Sequence, residues 1–163
     1  MDIKIVYPSK ELIPSFYQCL SLVAAERIYI EMLTPPPLQD VIEFQLGLIS
    51  RNGAVYYAVN NEQVVGWCDV FPEENPRQSH RGSLGMGLLP EFRGKGIGYS
   101  LVTSILKHAK KQGLEKVELN VYTSNTSAIA LYRKAGFIEE GLIKKYRKLD
   151  GVYFDCLNMA ILL

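Results

Sequence analysis

Excess charge of either sign is missing from this chain: 18 Lys plus Arg stand against 17 Asp plus Glu, a formal net charge of +1. Holding nucleic acid by general electrostatics needs a basic surplus to displace counterions, so no nucleic-acid partner is expected. Cysteine is scarce and shows no paired spacing, since Cys19, Cys68 and Cys156 lie far apart with no CxxC. The expectation is reduced thiols packed as small hydrophobes. Histidine is scarcer still, and neither His80 nor His108 has ligand-type neighbours at metal spacing, so no metal is expected. No apolar run approaches the roughly 18 residues of a membrane helix, and Met1-Asp2-Ile3-Lys4-Ile5 lacks the apolar core of a signal peptide. A soluble, cytoplasmic protein with no membrane partner is the reading. Repeats are absent, and low complexity is confined to Pro35-Pro36-Pro37, which stiffens a loop. With 163 residues, 48% hydrophobic, the chain is too apolar for disorder and long enough for one core, so a single domain over 1–163 is expected.

Periodicity predicts a mixed α/β domain. Residues 3–7 read as a strand ending at Pro8, and Ser9 with Leu12, Phe16, Leu20 and Val23 as a capped amphipathic helix. A second helix is expected from Leu38 to Ser50, with Val41, Phe44 and Leu48 on its buried face and Asn52-Gly53 as its stop. Residues 55–59 and 64–70 are β-rich and separated by a polar tetrad, which makes a hairpin, and 71–82 read as a solvent-facing loop. The next strand, 83–89, contains Gly85 and Gly87. Glycines weaken a strand, so a bulge or a close approach is expected there. Ile97, Leu101, Ile105 and Ala109 recur at helical spacing up to a glycine stop at Gly113. A strand follows in which Val117, Leu119 and Val121 alternate with Glu118, Asn120 and Tyr122. Then come a short helix over 127–135 and a closing hairpin around Asp150-Gly151.

Chemistry concentrates in Leu88-Leu89-Pro90-Glu91-Phe92-Arg93-Gly94-Lys95-Gly96-Ile97-Gly98, where glycines join a strand to the start of an amphipathic helix. A helix start offers unpaired N–H groups and positive dipole charge, and glycines let a bulky anion come close. A phosphate-binding turn is the functional reading, and a structural turn with incidental glycines is the alternative. A Walker loop is excluded, because Leu89 stands where its first glycine belongs and Gly96 follows Lys95. A dinucleotide fingerprint is excluded by Tyr99 and Leu101 at its third glycine position.

Read as Arg93-x-x-Gly96-x-Gly98, the same stretch resembles the acyl-CoA pyrophosphate loop of the GNAT superfamily of N-acetyltransferases. A second block at the family's distance, Asn125, Ala128, Leu131-Tyr132 and Ala135-Gly136-Phe137, strengthens the resemblance, which covers nearly the whole chain. It implies a mixed, mostly antiparallel seven-stranded sheet with flanking helices, opened into a V between the fourth and fifth strands, with acetyl-CoA as acyl donor in the opening. It further implies that the backbone of Leu88 and Leu89 bonds the pantetheine arm. The amides of Arg93, Gly94, Lys95, Gly96, Ile97, Gly98 and Tyr99 would hold the pyrophosphate. Asn125 would touch the pantetheine or cap its helix, and Tyr132 would protonate the departing thiolate.

The base is less evident. At pH 7 an amine of pKa about 10.4 is neutral about once in 2,500, whereas one near 7.8 gives up only roughly 1 kcal/mol. Several members of the superfamily carry a glutamate where this chain has Asn120, which accepts no proton. Asp69, Glu26, Glu31, Asp155 and His80 are the candidates, or a water relay. The missing glutamate favours a less basic acceptor such as an amino acid or a peptide N-terminus. Glu26 to Pro37 and Lys144 to Asp155 are expected to flank the acceptor, with Tyr29, Trp67 and Tyr146 as candidate lining and Gly151-x-Tyr153-x-Asp155 resembling the endings of small-molecule and amino-acid acetylating branches. The reading is an acyltransferase acting on a small-molecule or amino-acid primary amine by direct attack in a ternary complex. An acyl-CoA-binding regulator, and acetylation of a protein N-terminus or lysine, are the alternatives, and a homodimer is left open.

Overall fold

A computed structural model describes residues 2–163. The strands are β1 (Ile3–Val6), β2 (Ala54–Asn60), β3 (Gln63–Pro72), β4 (Arg81–Leu88), β5 (Lys116–Tyr122), β6 (Ile138–Leu149) and β7 (Val152–Leu162). The helices are α1 (Ile13–Ala25), α2 (Leu38–Ser50), α3 (Ile97–Lys111) and α4 (Thr126–Lys134). The strands form one seven-stranded sheet in the order β1-β2-β3-β4-β5-β7-β6. Only β4 and β5 run parallel, joined by the α3 crossover, and the other neighbours are antiparallel.

The two-residue period of the strands sorts the helices onto the two faces. Tyr57 and Trp67 are opposed in register and both meet Phe16 of α1, Tyr57 stacked on its ring and Trp67 edge-on to it. Tyr56, one residue earlier, turns the other way and meets His108 of α3. The core lies on both sides of β2 and β3, with Val55, Tyr57 and Val65 wholly buried toward α1 and α2, and Leu101 and Ile105 wholly buried from α3.

Several local expectations are corrected. Ser9 makes no side-chain cap. It precedes a single 3₁₀ turn, and α1 begins at Ile13 with Pro14 in its first turn, where a missing N–H costs nothing. Phe44 of α2 is 51% exposed, and Gln45 is buried in its place because the Tyr57 hydroxyl donates to its Oε1 at 2.8 Å. The expected loop over 71–82 shrinks to 73–80, since β3 extends to Pro72 and β4 starts at Arg81. Gly85 and Gly87 mark close approaches and no bulge: β3 and β4 pair without interruption from Gly66↔Leu88 to Pro72↔Gly82. The Trp67 indole lies where a Gly87 side chain would be, and Asp69 Oδ1 would stand 2.8 Å from a Cβ at Gly85. Register shifts instead in β2 between Ala58 and Val59 and in β6 between Glu139 and Gly141 and between Ile143 and Arg147, and in the last of these Lys145 adopts φ 52°.

Candidate active site

β4 and β5 pair only over Arg81↔Lys116, Gly82↔Val117 and Ser83↔Glu118, and then part. Their free edges therefore diverge toward Leu88 and Tyr122. A cavity of about 970 Å³ occupies the opening, lined by both strands, the loop after β4, α4 and the 29–31 segment.

At the far end of β4 a 3₁₀ turn, Pro90–Phe92, leads into α3. Gly94 and Gly96 have φ +71° and +80°, and a Cβ on either would meet nothing within 4 Å. Their glycine character answers to backbone conformation, and the space above them is open. Gly98 is different: a Cβ there would stand 3.0 Å from Leu131, so it lets α4 pack against α3. Ser100 N–H makes the first α-helical bond, to the Gly96 carbonyl at 3.1 Å, and no side chain caps Gly96. The amides of Ile97, Gly98 and Tyr99 thus begin the helix without i−4 partners.

Of the residues named from the sequence, Leu88, Arg93, Gly94, Gly96, Gly98, Tyr99, Asn125 and Tyr132 line the cavity. Leu89 stands apart. It is buried, its N–H donates to Val65 O at 2.9 Å, and its carbonyl accepts from Phe92 N at 3.0 Å. Ile97 is buried, and the Lys95 ammonium lies 5.9 Å over the Phe92 ring outside the lining. The Arg93 guanidinium turns away from the helix start. It chelates Glu26 at 2.5 and 2.9 Å, donates Nε–H to Leu88 O at 2.8 Å and lies 4.6 Å over the Tyr29 ring. Asn125 both lines the cavity and caps α4, accepting from Ala128 N at 3.3 Å.

Tyr132 projects from α4 on the α3 side, beside Phe137, and is 6% exposed. Burial, then the neighbouring Cys68, push its phenol well above the usual range, so it holds its proton at neutral pH. All three cysteines are buried free thiols. Burial raises Cys19 to about 12, Cys156 to about 11 and Cys68 well above its ordinary value, which makes each a poor nucleophile.

The opposite wall is polar. Glu118, Asn120 and Tyr122 line the cavity on the face of β5 away from buried Val117 and Leu119, together with Asn158 and Cys156 of β7. Asn158 Nδ2 donates to Asn120 Oδ1 at 3.1 Å. Among the base candidates, only Glu31 lines the cavity. Glu26 is held by Arg93, and Asp155 accepts Lys145 N–H at 2.8 Å. His80 lies in the β3–β4 connection, its carbonyl bonded to Glu115 N–H at 2.7 Å. Asp69 is buried opposite Gly85, and burial raises its carboxyl to about 7 against the pull of the Gly85 N–H. Tyr29 and Tyr146 line the cavity, whereas Trp67 is core. Sequence reasoning passed over Glu73, Arg81, Ser83 and Glu118 at the closed end of the V. The alternation of β5 already placed Glu118 on the face of Asn120. Among the described residues no group of three or more His, Cys, Asp or Glu is placed to hold a metal, and no helix is long and apolar enough to cross a membrane.

A parallel pair that splays beside an uncapped, glycine-entered helix, in an otherwise antiparallel seven-stranded sheet, is the arrangement that the sequence resemblance implied. The chain belongs to the Acetyltransferase (GNAT) family, whose match spans residues 18–137, and it is an acyltransferase. It is 28% identical over 147 residues to the L-amino acid N-acetyltransferase of Escherichia coli, covering 88% of this chain and 90% of that one. It is 30% identical to human N-acetyltransferase 8 over 69% of this chain and 50% of that protein. Among solved structures, a GNAT-family acetyltransferase from Streptococcus pneumoniae superposes with TM-score 0.92 at 20% identity, covering 99% of each chain. The phosphinothricin acetyltransferase of Sinorhizobium meliloti, solved with AcCoA, gives 0.90 at 21% identity, covering 100% of this chain and 89% of that one. At those identities the structural likeness speaks for the fold.

Proposed function

We propose that this acyltransferase moves the acetyl group of acetyl-CoA to the primary amine of an amino acid or similar small molecule, by direct attack with both substrates in the V, the whole chain acting as one domain. The observation that carries the reading is the opening itself: two parallel strands that part beside the uncapped start of α3. The residues present suit the donor. Open backbone at Gly94 and Gly96 and the free amides of Ile97 to Tyr99 match a pyrophosphate, as helix starts do generally. The free edge of β4 at Leu88 matches an amide-bearing arm through its N–H, its carbonyl already accepting from Arg93 Nε–H, while Leu89, turned to β3, has both backbone groups bonded.

Holding both reactants in one cavity supplies proximity and orientation. Tyr132, kept protonated by burial, donates to the departing sulfur. Its raised pKa is no handicap, because a thiolate released into the same dry region is itself more basic than in water. The similarity to the E. coli L-amino acid N-acetyltransferase supports an amino-acid acceptor. The test is release of free CoA thiol from acetyl-CoA across L-amino acids, polyamines, aminoglycosides and N-terminal peptides. Turnover with amino acids is expected. Donor binding with no turnover on any amine would return the protein to a binding role.

A further inference from the structure

We propose that Glu31, set against Tyr146 and Asn120, is the group that receives the acceptor's ammonium and takes its proton; this rests on the acetyl-transfer reading above. Three carboxylates line the cavity, and two are already engaged. Glu118 is paired with Arg81 and, at 3.2 Å, with Lys116, while Glu73 accepts the Ser83 hydroxyl at 3.3 Å. Glu31 has no ion-pair partner among the described residues. It lines the same cavity as Tyr122 of β5, Tyr146 of β6 and Cys156 of β7, and its charge pushes the pKa of all three upward.

Tyr146 reaches this place because β6 bulges. Lys145 takes φ 52°, its N–H is captured by Asp155 at 2.8 Å, and the next side chain is turned into the cavity. On the other side Asn158 donates to Asn120 Oδ1, which leaves the Asn120 NH₂ free to donate into the cavity it lines with Tyr146 and Glu31. Hydrogen bonding to Glu31 first, then burial, push the Tyr146 phenol up to about 12 against the opposing contact from Asn120, so Tyr146 stays protonated and positions the carboxylate. Arg147 donates to the Ile30 carbonyl at 3.4 Å and to the Tyr122 hydroxyl at 3.3 Å, and so pins the residue before Glu31. Asn120 thus belongs to the device that replaces a glutamate on β5.

The proton inventory closes. The ammonium gives one proton to Glu31, which is exposed and passes it to solvent. The neutral nitrogen bonds to the acetyl carbon, and the carbon–sulfur bond breaks with its electron pair on sulfur. Sulfur takes the Tyr132 proton, and the second nitrogen proton restores Tyr132. One proton is released overall.

The experiment follows thiol release by the full chain with acetyl-CoA and L-amino acids, for wild type, Glu31→Gln and Tyr146→Phe, between pH 7 and pH 9.5. Glu31→Gln is expected to lower kcat/KM by about 10²–10⁴-fold at pH 7. The loss should shrink as pH nears the acceptor's own pKa, where the amine is already neutral, and the donor KM should hold. Tyr146→Phe should lose less, with the same trend. Unchanged kcat/KM in Glu31→Gln, or a loss equal at every pH, overturns the assignment. A wild type that binds acetyl-CoA but acetylates none of these acceptors overturns the acetyl-transfer reading itself.

Discussion

Tyr132 and Asp69 are both nearly buried, and burial has opposite uses for them. For Tyr132 it secures the proton that the proposed mechanism gives to the departing sulfur. Tyr132→Phe should therefore reduce kcat by about 10²–10⁴-fold in a thiol-release assay, with little change in the KM for acetyl-CoA. Full turnover in that variant would remove the acid from the mechanism. For Asp69 burial is a liability. Its carboxyl, ordinarily near 3.8, rises to about 7. The unfolded chain ionises near the ordinary value while the folded one keeps its proton, so folded stability falls as pH rises from about 4 to about 7 and is level above. Asp69→Asn cannot ionise and still accepts the Gly85 N–H. Its unfolding free energy in denaturant should gain on wild type as pH rises from about 4 to about 7, by a margin on the order of a few kcal/mol. A gap independent of pH would show that Asp69 is not protonated in the fold.

The elements show which sequence signals survive packing. The helical period of α3, the alternation of β5 and the Asp150-Gly151 turn depend on local chemistry, and each stands where the sequence puts it; both turn residues have positive φ, as a tight hairpin requires. Phe44 and Gln45 exchange places because Tyr57, distant in sequence, offers a hydroxyl to the amide. No window around α2 contains that fact. The β6 bulge was equally hidden, since its cause, the Asp155 carboxylate, lies across the hairpin on β7. The β4 glycines were legible as a close approach, but the intruders, Trp67 and Asp69, sit on β3. Half of the candidate site was readable for the same reason: the α3 entry is one contiguous phrase, whereas Glu31, Asn120 and Tyr146 meet only through tertiary structure. Gly87→Ala tests the strand-level reading. Its methyl would overlap the Trp67 ring, so unfolding by denaturant should show a loss of about 1–3 kcal/mol. Pairing it with Trp67→Leu should recover part of that loss, and strict additivity would deny the contact.

Across the molecule, the connection between α1 and α2, residues 26–37, is tied at two places to walls of the cavity. Glu26 binds Arg93 in the loop after β4, and Arg27 binds Asp150 in the β6–β7 turn at 2.9 Å. The two ties should differ greatly in value. The Arg27 and Asp150 side chains are 46% and 75% exposed, so water and salt screen them and Arg27→Ala should shift stability by less than about 1 kcal/mol. Arg93 and Glu26 are 31% and 21% exposed, and the guanidinium also serves Leu88 O and the Tyr29 face. A lysine cannot chelate a carboxylate, reach a carbonyl and stack at once. Arg93→Lys should therefore cost roughly 1–3 kcal/mol in unfolding, after discounting for partial exposure. Because the tie joins the donor's loop to the segment carrying Glu31, steady-state kinetics should show the KM for both acetyl-CoA and the amine rising together. A rise confined to acetyl-CoA would mean that Arg93 serves only its own loop, and that the two halves of the cavity are set independently.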